Sequence, residues 1–191
     1  ADRTRRLKIS IWTTQSAALF NIVADLIIPQ SILDDMIAHA KELAPYECCG
    51  LLAGTDQTVT KIYRIKNVVA LEGAQQLASF DPAKVAHLER LSPAERAEIA
   101  FVMDAQDLAL AQKDMRRNSH TLQVVYHSHP HDPARPSVTD IKIATDYEDY
   151  WGKINLPVPA YLLISLMHQT PDIRAYWIKG GVVSPAKIAT Q

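Results

Sequence analysis

The chain has 191 residues, 48% of them hydrophobic, and a formal net charge of −1, which suits one globular domain around a single core. Acids and bases are interspersed, so the composition points to neither a nucleic-acid nor a membrane surface. Apolar runs such as "AYLLISLM" fall well short of the roughly 20 residues a membrane-spanning helix needs.

Near the start, Arg3, Arg5, Arg6 and Lys8 precede a mildly apolar stretch that Thr13, Thr14, Gln15 and Ser16 interrupt. No small-residue cleavage site follows, so we read residues 1–24 as a poorly ordered N-terminal extension rather than a secretory signal. The folded domain is expected to run over 25–185, leaving 186–191 as a C-terminal tail. Within it, "PQSILDDMIAHAKELAP" places Ile32, Leu33, Met36, Ile37, Ala40 and Leu43 on one helical face, ended by Pro45. His39 lies near that face and reads as a packed histidine, not a ligand.

Cys48 and Cys49 are the only cysteines and are adjacent. A bridge needs a Cα separation of about 4.4–6.8 Å, which neighbours rarely reach. We read them as reduced thiols of a cytoplasmic protein, and no C-x-x-C spacing supports a redox or metal role. "CGLLAG" and "TVTKIYRIKNVVAL" are then two strands joined by a turn at "TDQ".

Asp81 followed by Pro82 opens one helix, and Ser92, Pro93 and Glu95 open another with a capping box. Ile99, Val102, Met103, Gln106 and Leu110 continue one stripe, so 81–117 reads as two helices, the second long. Polar residues there, including Arg90, Glu95, Arg96 and Lys113, suggest either a solvated face that selects a substrate or helices that complete the core. His87, in this segment, has no assignable partner. "TLQVVYHSH" is a strand, Ser137 starts the next helix, and "PAYLLISLMHQTPDIRAYWIKGG" holds two more strands with His168 exposed beside their turn. One α/β domain accounts for all of it.

Alternation along a strand turns His127 and His129 to one side and Ser128 to the other. Such a pair can supply two imidazoles to one ion. The loop from Pro130 to Pro136 returns the chain, and Asp140, in the first turn of the helix that Ser137 caps, is the best third ligand. Taken singly, H-x-H is a weak signal and S-x-x-D is more often a capping box. "HSHPHD" also resembles the H-x-H-x-D-H run of metallo-β-lactamase-type hydrolases, but its last two residues are reversed and only His168 remains downstream. A (β/α)₈ amidohydrolase needs about 250 residues. His131 and Asp132 therefore read as loop residues at the mouth of a site.

The combination of Glu47, His127-Ser128-His129, seven residues, Ser137, two residues and Asp140 resembles the JAMM (MPN+, JAB-domain) zinc metallopeptidases of bacterial type. "PYECCGLLAG" also resembles that family's P-x-E-x-C-G-x-L-x-G segment, and the likeness extends from about Ile28 to Gly180. The resemblance implies a central mixed sheet flanked by helices, of cytidine-deaminase-like architecture. It also implies one zinc ion per chain, held by His127, His129 and Asp140. A zinc-bound water would be the nucleophile, Glu47 the general base, and Ser137 a hydrogen-bond donor to the oxyanion or to that water.

The reaction so implied is cleavage of a peptide or isopeptide bond at the C-terminal tail of a ubiquitin-like or sulfur-carrier protein, some of which end in Gly-Gly. An extended tail is expected to pair with a strand edge beside the zinc. Nucleic acid and membrane are not expected as partners, and a homodimer is left open. Helices 81–117 depart from the short members of the family and leave the substrate's identity open. The competing reading is a non-catalytic scaffold of the MPN− type, which would not need this residue set; an unrelated metallohydrolase comes third.

Overall fold

The computed structural model describes residues 25–71, 77 and 80–191; the extension assigned to residues 1–24 lies outside them. β1 (Leu26–Ile28) leads through Pro29 into α1 (Gln30–Leu43), which buries Ile32, Leu33, Met36, His39 and Ala40. Ala44 is extended (φ −53°, ψ 138°), because Pro45 disfavours helical backbone in the residue before it. β2 (Cys49–Thr55) is buried except at Thr55. It turns through Asp56, at φ 53°, into β3 (Thr58–Ile65).

β3 is shorter than the sequence pattern suggests, and Asn67 shows why. Its amide donates to the carbonyls of Glu47 (3.0 Å) and Ala100 (3.1 Å) and accepts from the N–H groups of Val69 and Val102 (both 3.1 Å). Two donors and two acceptors exhaust an asparagine. Ladder pairing gives way to one side chain that joins three segments.

The same contacts correct the expectation of two helices over 81–117. There are three: α2 (Pro82–Leu88), α3 (Pro93–Ile99) and α4 (Ala105–Arg117). The Asp81 cap and the Ser92–Glu95 capping box form as expected. The stripe then breaks, because Ala100 is extended (φ −160°, ψ 157°) and Val102 is drawn to Asn67 and Val68. Asp104 starts a fresh helix by accepting from the Asp107 N–H at 2.9 Å. Of the polar residues considered for substrate selection, Glu95 closes its own capping box and Arg96 donates to the carbonyls of Leu88 and Leu91.

β4 (Thr121–His129), α5 (Val138–Lys153), β5 (Ala160–Ser165) and β6 (Asp172–Lys179) follow in the expected order. Gly180 and Gly181, at φ 53° and 76°, make the tight hairpin for which only such backbone serves, and β7 (Val182–Ala186) returns. Residues 186–191, expected as a tail, contribute β8 (Ile188–Thr190), which pairs in parallel with β1.

The eight strands form one mixed sheet in the order β7-β6-β5-β4-β2-β3-β1-β8. α1 covers one face, over a core that includes Met36, Leu52, Tyr126, Leu162 and Ile164. On the other face Ala111 and Met115 of α4 pack on Cys49, Leu51 and Ala53, and Ala144 of α5 packs on Tyr161 and Ile178. Alternation along β4 sends Tyr126 to the α1 side and His127 to the other. A satellite core of Val69, Leu77, Phe80, Leu88, Ala97 and Ala100 lies under α2 and α3. No helix among the described residues is long and apolar enough to cross a membrane.

Candidate metal centre

β4 lies mid-sheet, with β2 on one side and β5 on the other. His127 sits opposite Cys49 and Leu163, and His129 opposite Ser165. Both imidazoles leave the sheet from its last turns, where the chain enters the 130–136 loop. His127 is 1% and His129 7% exposed. Their Nε2 atoms face each other at 3.1 Å. Two ring nitrogens at that distance can share one proton or, with both lone pairs inward, one cation.

The neighbours of His129 favour the second arrangement. Its Nδ1 donates to the Pro133 carbonyl at 2.9 Å, which leaves Nε2 as the acceptor-type nitrogen in the neutral ring. Asp140 brings a carboxylate to the same place, with Oδ1 3.4 Å from His127 Nε2 and Oδ2 3.8 Å from His129 Nε2. Among the described residues, these three are the group whose donor atoms lie close enough to hold one metal ion.

α5 positions the carboxylate. Ser137 is its N-cap: the Asp140 N–H donates to Ser137 Oγ (3.1 Å), while the Ser137 N–H (2.7 Å) and hydroxyl (2.6 Å) both donate to Asp140 Oδ2. The capping box forms, and the same hydrogen bonds hold the Asp140 carboxylate beside the two imidazoles. Burial works against charge on Asp140. The His127 and His129 rings and the Ser137 hydroxyl outweigh it and hold the carboxyl well below its ordinary range. His129 is likewise opposed by burial, but Asp140, the Pro133 carbonyl and Glu47 raise it overall.

Glu47 reaches the site through the backbone. The Cys48 N–H donates to Ser128 Oγ (2.8 Å) and the Ser128 N–H to the Cys48 carbonyl (3.0 Å), so the ladder between β2 and β4 extends past Cys49. The residue before Cys48 is thereby carried to the histidine end of β4. Glu47 is further fixed by its N–H donating to Ala97 (2.7 Å) and its carbonyl accepting from Asn67. The side chain is 7% exposed, and burial pushes its carboxyl from an ordinary 4.5 up to about 8.

Glu47, His129, Ser137 and Asp140 line one cleft of about 300 Å³, walled by Lys84 of α2, Ile99 at the end of α3, Phe101 just beyond it, and Asp132 and Arg135 of the loop. His127, beside His129 and Asp140, packs against the Phe101 ring (centroids 4.7 Å apart), so all five expected site residues converge. His131 and Asp132 are loop residues at the mouth, as expected; His131 is exposed, 3.5 Å from Glu98. His39 is buried against the Tyr126 hydroxyl (2.9 Å), and both cysteines are free and buried. His87 and His168 are exposed.

Neither Phe101 nor Asn67 stands out in the sequence, because a helical stripe runs through the one and a strand pattern through the other. β4 itself offers no free edge to an extended tail, since β2 and β5 pair with both its sides.

Residues 29–179 match the family described as prokaryotic homologs of the JAB domain. The CysO-cysteine peptidase of Mycobacterium tuberculosis is 27% identical over 169 residues, covering 87% of this chain and 92% of its own. A probable TtuB-protein conjugate cleaving protease of Thermus thermophilus is 31% identical over 119 residues, 62% of this chain and 63% of its own. A protein of Desulfitobacterium hafniense, solved in solution, superimposes with a TM-score of 0.61 at 30% identity, covering 87% of this chain and 92% of the other.

Proposed function

The chain belongs to the family of prokaryotic homologs of the JAB domain, and on that premise we propose that it is a zinc-dependent peptidase or isopeptidase. Its substrate would be the C-terminal tail of a ubiquitin-like or sulfur-carrier protein, in keeping with the names of the mycobacterial and Thermus relatives. The observation that carries the reading is the spacing of the three donors. Zinc–ligand bonds of 2.0–2.1 Å in a tetrahedron put neighbouring donors about 3.3 Å apart. The two Nε2 atoms here stand 3.1 Å apart, with Asp140 Oδ1 3.4 Å from that of His127 and Asp140 Oδ2 3.8 Å from that of His129, and one donor atom from each residue lies within 4.8 Å of the others. Two imidazoles and a carboxylate also leave a fourth position open, as catalytic zinc sites do.

A zinc ion there supplies Lewis acidity, enough to make water nucleophilic near neutral pH. The protein's own groups do the rest. Glu47, the other buried carboxylate of the cleft, takes the proton from the attacking water and hands it to the departing amine. Its burial makes it a stronger base than an exposed glutamate. Ser137, whose proton now rests on Asp140, would turn it towards the carbonyl oxygen as negative charge builds there.

The test is metal analysis of the purified protein, then incubation with candidate carrier precursors, read by intact mass. One zinc per chain with a shortened carrier is the expected result. A fully zinc-loaded protein that cuts no carrier precursor and no Gly-Gly-containing peptide would favour a binding scaffold instead.

A further inference from the structure

Arg135 stands between the metal ligands in sequence, and the fold mounts it on an unusually well-anchored loop. Three successive carbonyls before it are each held by a side chain from a different strand. The Ser165 hydroxyl of β5 donates to Asp132 (2.7 Å), His129 Nδ1 of β4 to Pro133 (2.9 Å), and the Tyr176 hydroxyl of β6 to Ala134 (2.7 Å). The Arg135 N–H donates back to the Pro133 carbonyl at 2.8 Å, and Pro136 restricts the backbone on the other side.

This rigid mount carries a guanidinium with no ion pair or side-chain hydrogen bond among the described residues, although it lines the cleft that holds Glu47 and Asp140. The cleft's other cation is occupied, since Lys84 Nζ donates to the Ile99 carbonyl at 3.2 Å. An exposed guanidinium without a protein partner, on a backbone held in place beside a small cleft, is suited to a planar anion, above all a carboxylate held by two parallel hydrogen bonds.

On the peptidase reading above, one carboxylate sits beside the scissile bond: the α-carboxylate of a C-terminal residue. We infer that Arg135 anchors that group, so that the chain removes a single terminal residue from its carrier. In balanced form, carrier–CO–NH–CHR–COO⁻ and water give carrier–COO⁻ and H₃N⁺–CHR–COO⁻. Water's oxygen joins the acyl carbon, the C–N bond breaks, and the amine leaves protonated. A cleft of about 300 Å³ is at the small end for ligand sites, in keeping with one residue rather than a lysine on a folded protein.

The test compares two N-acetylated peptides ending in Gly-Gly-Ala, one a free acid and one a C-terminal amide, on zinc-loaded wild type, R135Q and R135K. Wild type should prefer the acid by about 10–100-fold in kcat/KM, the range a charge-assisted hydrogen bond gives. R135Q should lose that preference without a change in melting temperature, and R135K, which keeps the charge but not the fork, should retain part of it. Affinity of both peptides for the zinc-loaded E47Q protein, read by calorimetry, should show the same preference without turnover. Equal rates and affinities in wild type, or an undiminished preference in R135Q, would overturn the anchor and leave the peptidase reading standing. If neither peptide nor any carrier precursor is cut, the peptidase reading falls and the anchor with it.

Discussion

Replacing Glu47 by glutamine separates what this residue does for the fold from what it does for the chemistry. Among the described residues its carboxylate has no hydrogen-bond partner and the residue is almost wholly buried, so in chelator-treated protein the charge is a liability. The carboxyl is raised from 4.5 to about 8. A raised acid favours the fold while protonated; that contribution is complete below pH 4.5 and is lost as pH climbs through 8. At pH 7 the loss is about 3 kcal/mol, from about 1.4 kcal/mol for each pH unit above 4.5. Glutamine keeps the size and carries no charge. Chelator-treated E47Q should therefore be more stable than wild type at pH 7 by up to about 3 kcal/mol, or about 6–12 °C in Tm for a domain of this size. The difference should vanish near pH 4.5.

Zinc changes the balance, because a divalent ion beside Glu47 favours the carboxylate, and the advantage of glutamine should shrink once the metal is restored. Activity should move the other way. With zinc content near wild type, kcat should fall by roughly 10²–10⁴-fold, the usual worth of general acid–base catalysis. Melting curves from pH 4.5 to 8 with and without zinc, together with turnover, decide both points. If metal-free E47Q were less stable than wild type at pH 7, the carboxylate would be holding the fold together and the argument from burial would fail. If zinc-loaded E47Q were active, Glu47 would leave the mechanism.

D140A removes one of three donors and half of a capping box; zinc measured after dialysis should drop below one-tenth of wild type, and Tm should fall by the equivalent of about 1 kcal/mol. Full zinc occupancy in that variant would refute the ligand assignment. N67A leaves the Glu47 and Ala100 carbonyls and the Val69 and Val102 N–H groups without the partner they share. It should cost roughly 2–4 kcal/mol in chemical denaturation, and kcat should fall as well because Glu47 loses its fixed backbone. A stable N67A protein with unchanged turnover would show that the hub is dispensable.

Much of the site was legible because its parts are local. A strand that alternates places His127 and His129 together, and a helix cap places Asp140 three residues past Ser137. Glu47 was not local: only its likeness to a family motif pointed to it, and the structure supplies the cause in the Cys48–Ser128 pairing. The break at Ala100–Asp104 was illegible for the opposite reason. Ile99, Val102 and Met103 fit a helical stripe, and no propensity reveals that Asn67 will capture the Val102 backbone from 35 residues away. β8 escaped notice similarly, since a three-residue strand has no periodicity to read and takes its register from β1.

These non-local contacts share one consequence for the site. Asn67 interrupts a helix that would otherwise have run on, and the interruption brings Phe101 against His127. That packing leaves His127 Nδ1 buried without a hydrogen-bond partner among the described residues. An imidazole must put its proton on one nitrogen. Only when Nε2 serves as a lone pair does the proton sit on the unpartnered Nδ1, at a penalty of about 1–3 kcal/mol; otherwise Nε2 can donate to Asp140 Oδ1, 3.4 Å away. The cleft thus combines a buried Nδ1 without a partner, two Nε2 atoms at 3.1 Å and a desolvated glutamate. The polypeptide holds this arrangement through contacts placed elsewhere: the β2–β4 ladder, the α5 cap and the Asn67 hub. The hydrogen bonds that hold the site lie in the frame, while the two close imidazoles and the buried Glu47 carboxyl are confined to the cleft.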